Sequence, residues 1–181
     1  MPDAIRPVLS HMAIYVHDMA KMEDFYTRVM GLVVTDRGKA FKFPIDLVFM
    51  SSQPGMHHQF ALASGRSPEA TYSVVNQMSF RVRSLDELRV MASRVKAEGV
   101  ADLAKINHGN AWSLYFLDPE GNCIEVYLDS PWHVPQPHGD DLDLEQTNET
   151  IMRTTLEAVR TKPGFMPREE YEAEMRRKFD S

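Results

Sequence analysis

Over positions 9–16 apolar and polar residues alternate, with Met12, Ile14 and Val16 on one face and Leu9, His11, Ala13 and Tyr15 on the other. That period of two predicts a half-buried strand. After Asp18, which is suited to a helix N-cap, the period lengthens: Met22, Phe25, Tyr26, Val29 and Met30 recur at helical spacing until Gly31 stops the run. Residues 32–37, 41–51 and 57–63 then read as extended segments, punctuated by Gly38 and by Gln53-Pro54-Gly55. The pattern starts again in the second half. Residues 75–82 alternate, Ser84 can cap a helix, Leu85, Leu88, Val90, Met91 and Val95 form an apolar stripe ending near Gly99, and extended segments continue to Leu128. Asp118 to Asn122, with Pro119 and Gly121, is a turn between two of them.

The two halves are copies in register. His11 and Gln77, Gly55 and Gly121, and Gln59 and Glu125 are each 66 positions apart. Superposing them makes the helix-facing positions apolar in both: Met12, Ile14 and Val16 match Met78, Phe80 and Val82, and Phe60 and Leu62 match Val126 and Leu128. The opposite face carries His11, His57, Gln59, Gln77 and Glu125. A wet sheet face would explain polarity alone, but solvated faces usually mix in cations, and positions 11, 59, 77 and 125 hold metal-competent side chains without a Lys or Arg. The fold predicted is α+β, with two paired βαβββ modules at about 8–65 and 74–130 forming a curved mixed sheet around a polar cavity, followed by a helical C-terminal extension over 131–181.

Composition narrows the partners. The formal net charge of -6 disfavours a phosphate backbone as ligand, so no nucleic acid is expected. No apolar run reaches membrane-spanning length and the N-terminal residues do not read as a secretory leader, so no membrane is expected and the cytoplasm is the default. The single cysteine, Cys123, rules out an internal disulfide and a cysteine-based zinc cage, and reads as a small buried thiol.

The paired modules, the Ser-His-Met-Ala-Ile opening at 10–14 and the Asp-Pro-Glu-Gly-Asn-Cys-Ile-Glu-Val run at 118–126 resemble the vicinal oxygen chelate superfamily over about residues 8–130. Within it the chain is more similar to type I extradiol ring-cleaving dioxygenases. It carries His57-His58, then His108-Gly109-Asn110, then Ser113-Leu114-Tyr115, with Glu125 ten residues after Tyr115. The resemblance implies a metal-dependent enzyme, most concretely one cleaving the ring of a catechol-like small aromatic with O2. Its metal ligands would be His11, the residue at 77, and Glu125. It further implies His58 as the base for the second catechol proton, His108 and Tyr115 as hydrogen-bonding groups for the ring oxygens, and Asn110 as a pocket residue. Histidine suits proton transfer because its ordinary pKa lies near neutrality. His57 and Gln59 are candidate substrate contacts on the cavity face. Strict alternation puts His57 rather than His58 on that face, and a strand that starts or bulges at His58 would reconcile the two.

The departure from the pattern is Gln77, where the dioxygenases carry His. An amide oxygen is a poorer donor to Fe(II) than imidazole and suits harder metals. Fe(II) is the metal implied by the resemblance, with Mn, Zn or Ni open. Two alternatives follow: a glyoxalase-like lyase or isomerase whose metal polarises a carbonyl, and a metal-free small-molecule binding protein of the same fold.

Beyond Leu128, the three prolines in residues 130–139 predict an extended arm. Asp143 or Thr147 can cap a helix with Ile151, Leu156 and Val159 on one face, and Pro167 opens a last helix carrying Tyr171, Met175 and Phe179. This extension is expected to pack on a second subunit, giving a homodimer, with a lid over the cavity as the competing role. His17, His133 and His138 fall in loops and are assigned no role.

Overall fold

The computed structural model describes residues 5–100 and 102–180, so the opening four residues of the expected lead-in lie outside the described residues. The chain divides into two compact units. One comprises residues 1–74 with the turn Asp118–Gly121, and the other Val75–Leu117 with Asn122–Ser181.

In the first unit β1 (Met12–Val16) leads into α1 (Met19–Asp24), which continues as a π-helical turn over Phe25–Val29, followed by β2 (Val33–Lys39), β3 (Asp46–Ser51) and β4 (Phe60–Ser64). The Asp18 side chain accepts from the Lys21 N–H, so the expected N-cap is in place. The strands order as β1-β4-β3-β2, with β1 parallel to β4 and the other pairs antiparallel. Met22, Phe25, Tyr26 and Val29 bury the helical stripe, and Val16, Phe60 and Leu62 are among the buried strand residues. The turn that the sequence places between two strands of the second module supplies caps here. Glu120 accepts from the backbone N–H groups of His17 and Asp18 at 2.8 Å, and the Arg66 guanidinium lies 3.3 Å from its other oxygen. Tyr26 donates to Asp118 at 2.9 Å. Burial first, and then the Asp118 charge, push the Tyr26 phenol far above its ordinary pKa.

In the second unit β5 (Met78–Arg81) precedes α2 (Leu85–Ala97), β6 (Ala104–Asn107), β7 (Ala111–Leu117) and β8 (Cys123–Asp129). Ser84 caps α2, whose Leu85, Leu88, Met91 and Val95 are buried; Glu87 and Val90, one turn apart on the outer side, are not. These strands order as β6-β7-β8-β5, with β5 parallel to β8. The α+β fold of two βαβββ modules is therefore present. Among the described residues its main strands form one mixed sheet per module rather than one continuous sheet.

Two expectations are corrected. The repeat offset is not constant: Met12 and Met78 are 66 positions apart, but their sheet partners Phe60 and Ile124 are only 64 apart. The register equivalent of Glu125 in the first module is therefore Ala61, which pairs with Ala13 as Glu125 pairs with Ser79. Gln59 is not its counterpart, because the turns before β4 and β8 differ in length and sequence spacing cannot see that. The extension is also more regular than an arm of prolines suggests. The short strand β9 (Trp132–His133) pairs with β11 (Met166–Pro167), while β10 (Asp140–Asp141) adds to β6. Thr147, not Asp143, caps α3 (Asn148–Val159). Ile151, Thr155 and Val159 are buried, so α3 packs on its own unit; α4 (Arg168–Asp180) has no buried residue.

Candidate active site

The sheet register of the second unit assembles the site. Glu125 lies on β8 between Ser79 on β5 and Tyr115 on β7, each its direct partner, so all three side chains share one face. The neighbouring positions Ile124, Val126, Leu114 and Phe116 alternate to the other face and are buried. Glu125 is only 8% exposed, and four neutral groups donate to its carboxylate. The Tyr115 hydroxyl at 2.6 Å and the Ser113 hydroxyl at 2.8 Å reach one oxygen; the Ser79 hydroxyl at 2.6 Å and the Gln77 amide at 2.8 Å reach the other. A carboxylate offers about four acceptor directions, so these donors satisfy it fully. Burial, and then the bond to Glu125, hold the Tyr115 phenol well above its ordinary pKa, so it stays a neutral donor.

The network extends through Tyr115. His108, just beyond β6, places Nε2 2.9 Å from the Tyr115 hydroxyl and Nδ1 2.7 Å from the main-chain oxygen of His138. Asn110 lines a cavity of about 240 Å³ with Trp132, His133, Gln136, Arg168 and Tyr171. Its side-chain oxygen accepts from Gln136, and its carbonyl from Arg168. The second unit thus brings together Gln77, His108, Tyr115 and Glu125, with Asn110 near them in sequence but turned toward the C-terminal arm.

In the first unit His11, His57 and His58 form a group. The His11 and His58 rings are 4.3 Å apart, and His57 and His58 approach at 2.9 Å through their Nδ1 atoms. His57 is exposed and His58 half-buried, so the inward residue is His58. The strand begins only at Phe60, which leaves both histidines in the preceding loop, where alternation no longer governs direction. Burial first, then the charges of His11 and His57, lower the His58 pKa. Gln59 is spent elsewhere. Its amide oxygen accepts from the Ser52 backbone and hydroxyl at 3.1 and 2.8 Å, closing the loop after β3.

Donor chemistry is the test of whether a metal fits. The four direct donors to the Glu125 carboxylate are all neutral, and Gln77 turns its amide N–H to that carboxylate and to the Ser79 hydroxyl. A carboxylate is a fit ligand for a divalent cation, which would take the place of one of these four donors. Among the described residues, no three of His, Cys, Asp and Glu gather closely enough to hold a metal by themselves.

The sequence left out Ser79, Ser113, Gln136 and His138. Ser79 was visible as the residue two beyond Gln77 on the same strand face, and Ser113 as the first residue of Ser-x-Tyr. Gln136 and His138 are brought in by a return of the chain that no local pattern announces.

Residues 8–126 match the model of the Glyoxalase/Bleomycin resistance protein/Dioxygenase superfamily. The chain belongs to this superfamily. A relative within reach is biphenyl-2,3-diol 1,2-dioxygenase 3 of Rhodococcus globerulus, 26% identical over 153 residues that cover 81% of this chain and 76% of that protein. Among solved structures, a glyoxylase/bleomycin resistance protein/dioxygenase domain from Frankia sp. EAN1pec superposes with a TM-score of 0.55 at 20% identity, covering 70% of this chain and 99% of that one. The fosfomycin resistance protein FosX from Listeria monocytogenes, complexed with Mn(II) and sulfate, gives a TM-score of 0.51 at 19% identity over 70% of this chain and 95% of its own. The superfamily's dioxygenases and resistance proteins share this fold, so the fold alone does not choose among their reactions.

Proposed function

We propose that this superfamily member is a metal-dependent enzyme acting on a small molecule with adjacent oxygens, most concretely an extradiol-type dioxygenase that cleaves the ring of a catechol-like aromatic with O2. The observation that supports it best is the chain from His108 through Tyr115 to Glu125, which joins a buried carboxylate to two groups able to hold a substrate oxygen. Similarity to a biphenyl-2,3-diol dioxygenase over most of both chains adds to it. Glu125 and Gln77 are the proposed ligands in the second unit, and His11 is the third that the family resemblance assigns. A divalent ion held by these residues would supply Lewis acidity and, if iron, redox chemistry toward O2.

The chain's own residues do the rest. The protonated Tyr115 hydroxyl donates a hydrogen bond, and a catechol oxygen competes with Glu125 for it. His108 Nε2 offers a second hydrogen-bonding position beside the same hydroxyl. His58, kept neutral by burial and by neighbouring imidazoles, is the proposed base for a substrate hydroxyl, since a depressed pKa leaves it unprotonated at neutral pH.

The second reading is a glyoxalase-like lyase or isomerase using a harder metal, favoured by one observation: Gln77 stands where the dioxygenases carry His. Elemental analysis of protein purified without chelators, followed by anaerobic Fe(II) loading and oxygen-uptake assays on catechols, separates the two. Iron near one per chain with a coloured ring-opened product is the expected outcome. Manganese, zinc or nickel with no oxygen uptake would replace the dioxygenase reading with the second. Glu125→Ala should abolish metal retention under both, and retained metal would sink both.

A further inference from the structure

Each nitrogen of the His108 ring faces a defined neighbour. Nδ1 lies 2.7 Å from the main-chain oxygen of His138, and Nε2 lies 2.9 Å from the Tyr115 hydroxyl. A carbonyl oxygen only accepts, so Nδ1 carries a proton in both charge states of the ring. Nε2 is left as the nitrogen that exchanges a proton, and it is the one turned to Tyr115. Protonated, it donates to the phenol oxygen while the phenol donates to Glu125; bare, it accepts the phenol proton in place of Glu125, which keeps the Ser79, Ser113 and Gln77 donors. In a two-nitrogen ring the bond made by one nitrogen decides the state of the other.

The carbonyl that does this belongs to the segment after β8, beyond the residues that match the superfamily model. Several contacts tie the segment to the His108 turn. The Gln136 amide donates to the His108 carbonyl at 2.9 Å and to the Asn110 side-chain oxygen at 3.2 Å, while its own oxygen accepts from the His138 N–H at 3.0 Å. Lys162 donates to His138 Nδ1 at 3.0 Å, and Asp140 lies 3.2 Å from His138 Nε2. Gly109, at φ +73°, lets the two backbones meet, since a Cβ there would come within 3.0 Å of Val134, Val159 and His138 side chains.

We propose that the arm of residues 130–139 is a positioning element for His108. Through the His138 carbonyl it holds the ring in the Nδ1–H form and presents Nε2 to Tyr115 and to the substrate oxygen that binds beside it. Gln136 and His138 act through His108 and are positioning residues, not catalytic ones. The proposal rests on His108 belonging to the active site, as the proposed function has it, but its readout does not depend on turnover.

The test is long-range ¹⁵N–¹H correlation of the histidine rings in the uniformly labelled full chain at alkaline pH, with His108 assigned by the signal lost in His108→Gln. The expected spectrum shows Nδ1–H with a bare Nε2, the reverse of the tautomer that free imidazole side chains favour. In Gln136→Ala the ratio of Nδ1–H to Nε2–H should fall by roughly threefold to tenfold, the worth of about one hydrogen bond. Lys162→Met, which loosens the arm without touching the turn, should move it the same way by less. A wild-type spectrum dominated by Nε2–H, or a ratio unmoved in the variants, overturns the proposal. Absence of metal or of ring cleavage would sink the proposed function and leave this result standing, so the two fail separately.

Discussion

At the scale of single residues, two phenols do the same task under different burial. Tyr26 is fully buried and donates to Asp118, itself 4% exposed, whereas Tyr115 is half-buried and donates to Glu125. Removing a donor from a buried acceptor costs about 1–3 kcal/mol, and less where water can take its place. Tyr26→Phe should therefore lower the denaturation midpoint more than Tyr115→Phe, and equal shifts in urea titrations would mean that water does not reach Glu125. The residue types of this network were legible in the sequence, because parity alone put Glu125 opposite its apolar neighbours. What it accepts from was not, since Ser79 and Ser113 become its partners only through strand register. Gln59 shows the converse. Its match to Glu125 was a sequence spacing, and a two-residue difference between the modules dissolved it.

At the scale of elements, the turn after β6 and the C-terminal extension are built on each other. Gly109 sits in the left-handed region where a side chain is strained, and the space above it is filled by Val134 and Val159. Gly109→Ala should cost about 2–4 kcal/mol from backbone strain and overpacking together. A melting temperature within a degree or so of wild type would show that the extension moves aside cheaply. The other end of the extension responds to pH. His133 stacks face to face on Tyr171 of α4 at 3.7 Å. Burial and then the Arg168 charge depress its pKa, with Glu174 opposing them. A histidine whose folded pKa lies below its unfolded value of about 6.5 stabilises fully above that value, and the contribution fades as pH falls through the folded pKa. Hydrogen-exchange protection in α4, taken relative to the intrinsic rate at each pH, should fall below about pH 6.5, and His133→Phe, which keeps a ring for the stack, should remove the dependence. An unchanged pH dependence in that variant would place its origin elsewhere.

At the scale of the whole molecule, the chain is proposed to be a homodimer. The face of α4 that carries Tyr171 and Met175 borders a shallow cavity, and no residue of α4 is buried within the chain. Light scattering on the eluted full chain should give twice the 20.7 kDa chain mass, with Met175→Glu shifting it toward one. A wild-type monomer at micromolar concentration would end that proposal. Among the described residues no helix is long and apolar enough to cross a membrane.

The sequence by itself determined the two-module α+β plan, the caps Asp18 and Ser84, and the face on which Glu125 lies. Each is a local matter of period, capping chemistry and alternation. The structure decided which of His57 and His58 turns inward, because a strand's starting residue depends on its partners. It also decided that Glu125 is satisfied by four neutral donors, that the Asp118–Gly121 turn caps the first helix, and that His138 reaches back to His108. These contacts join residues that are 10 to more than 100 positions apart. Pairing register and chain return set such distances, and no pattern within a window of residues encodes them.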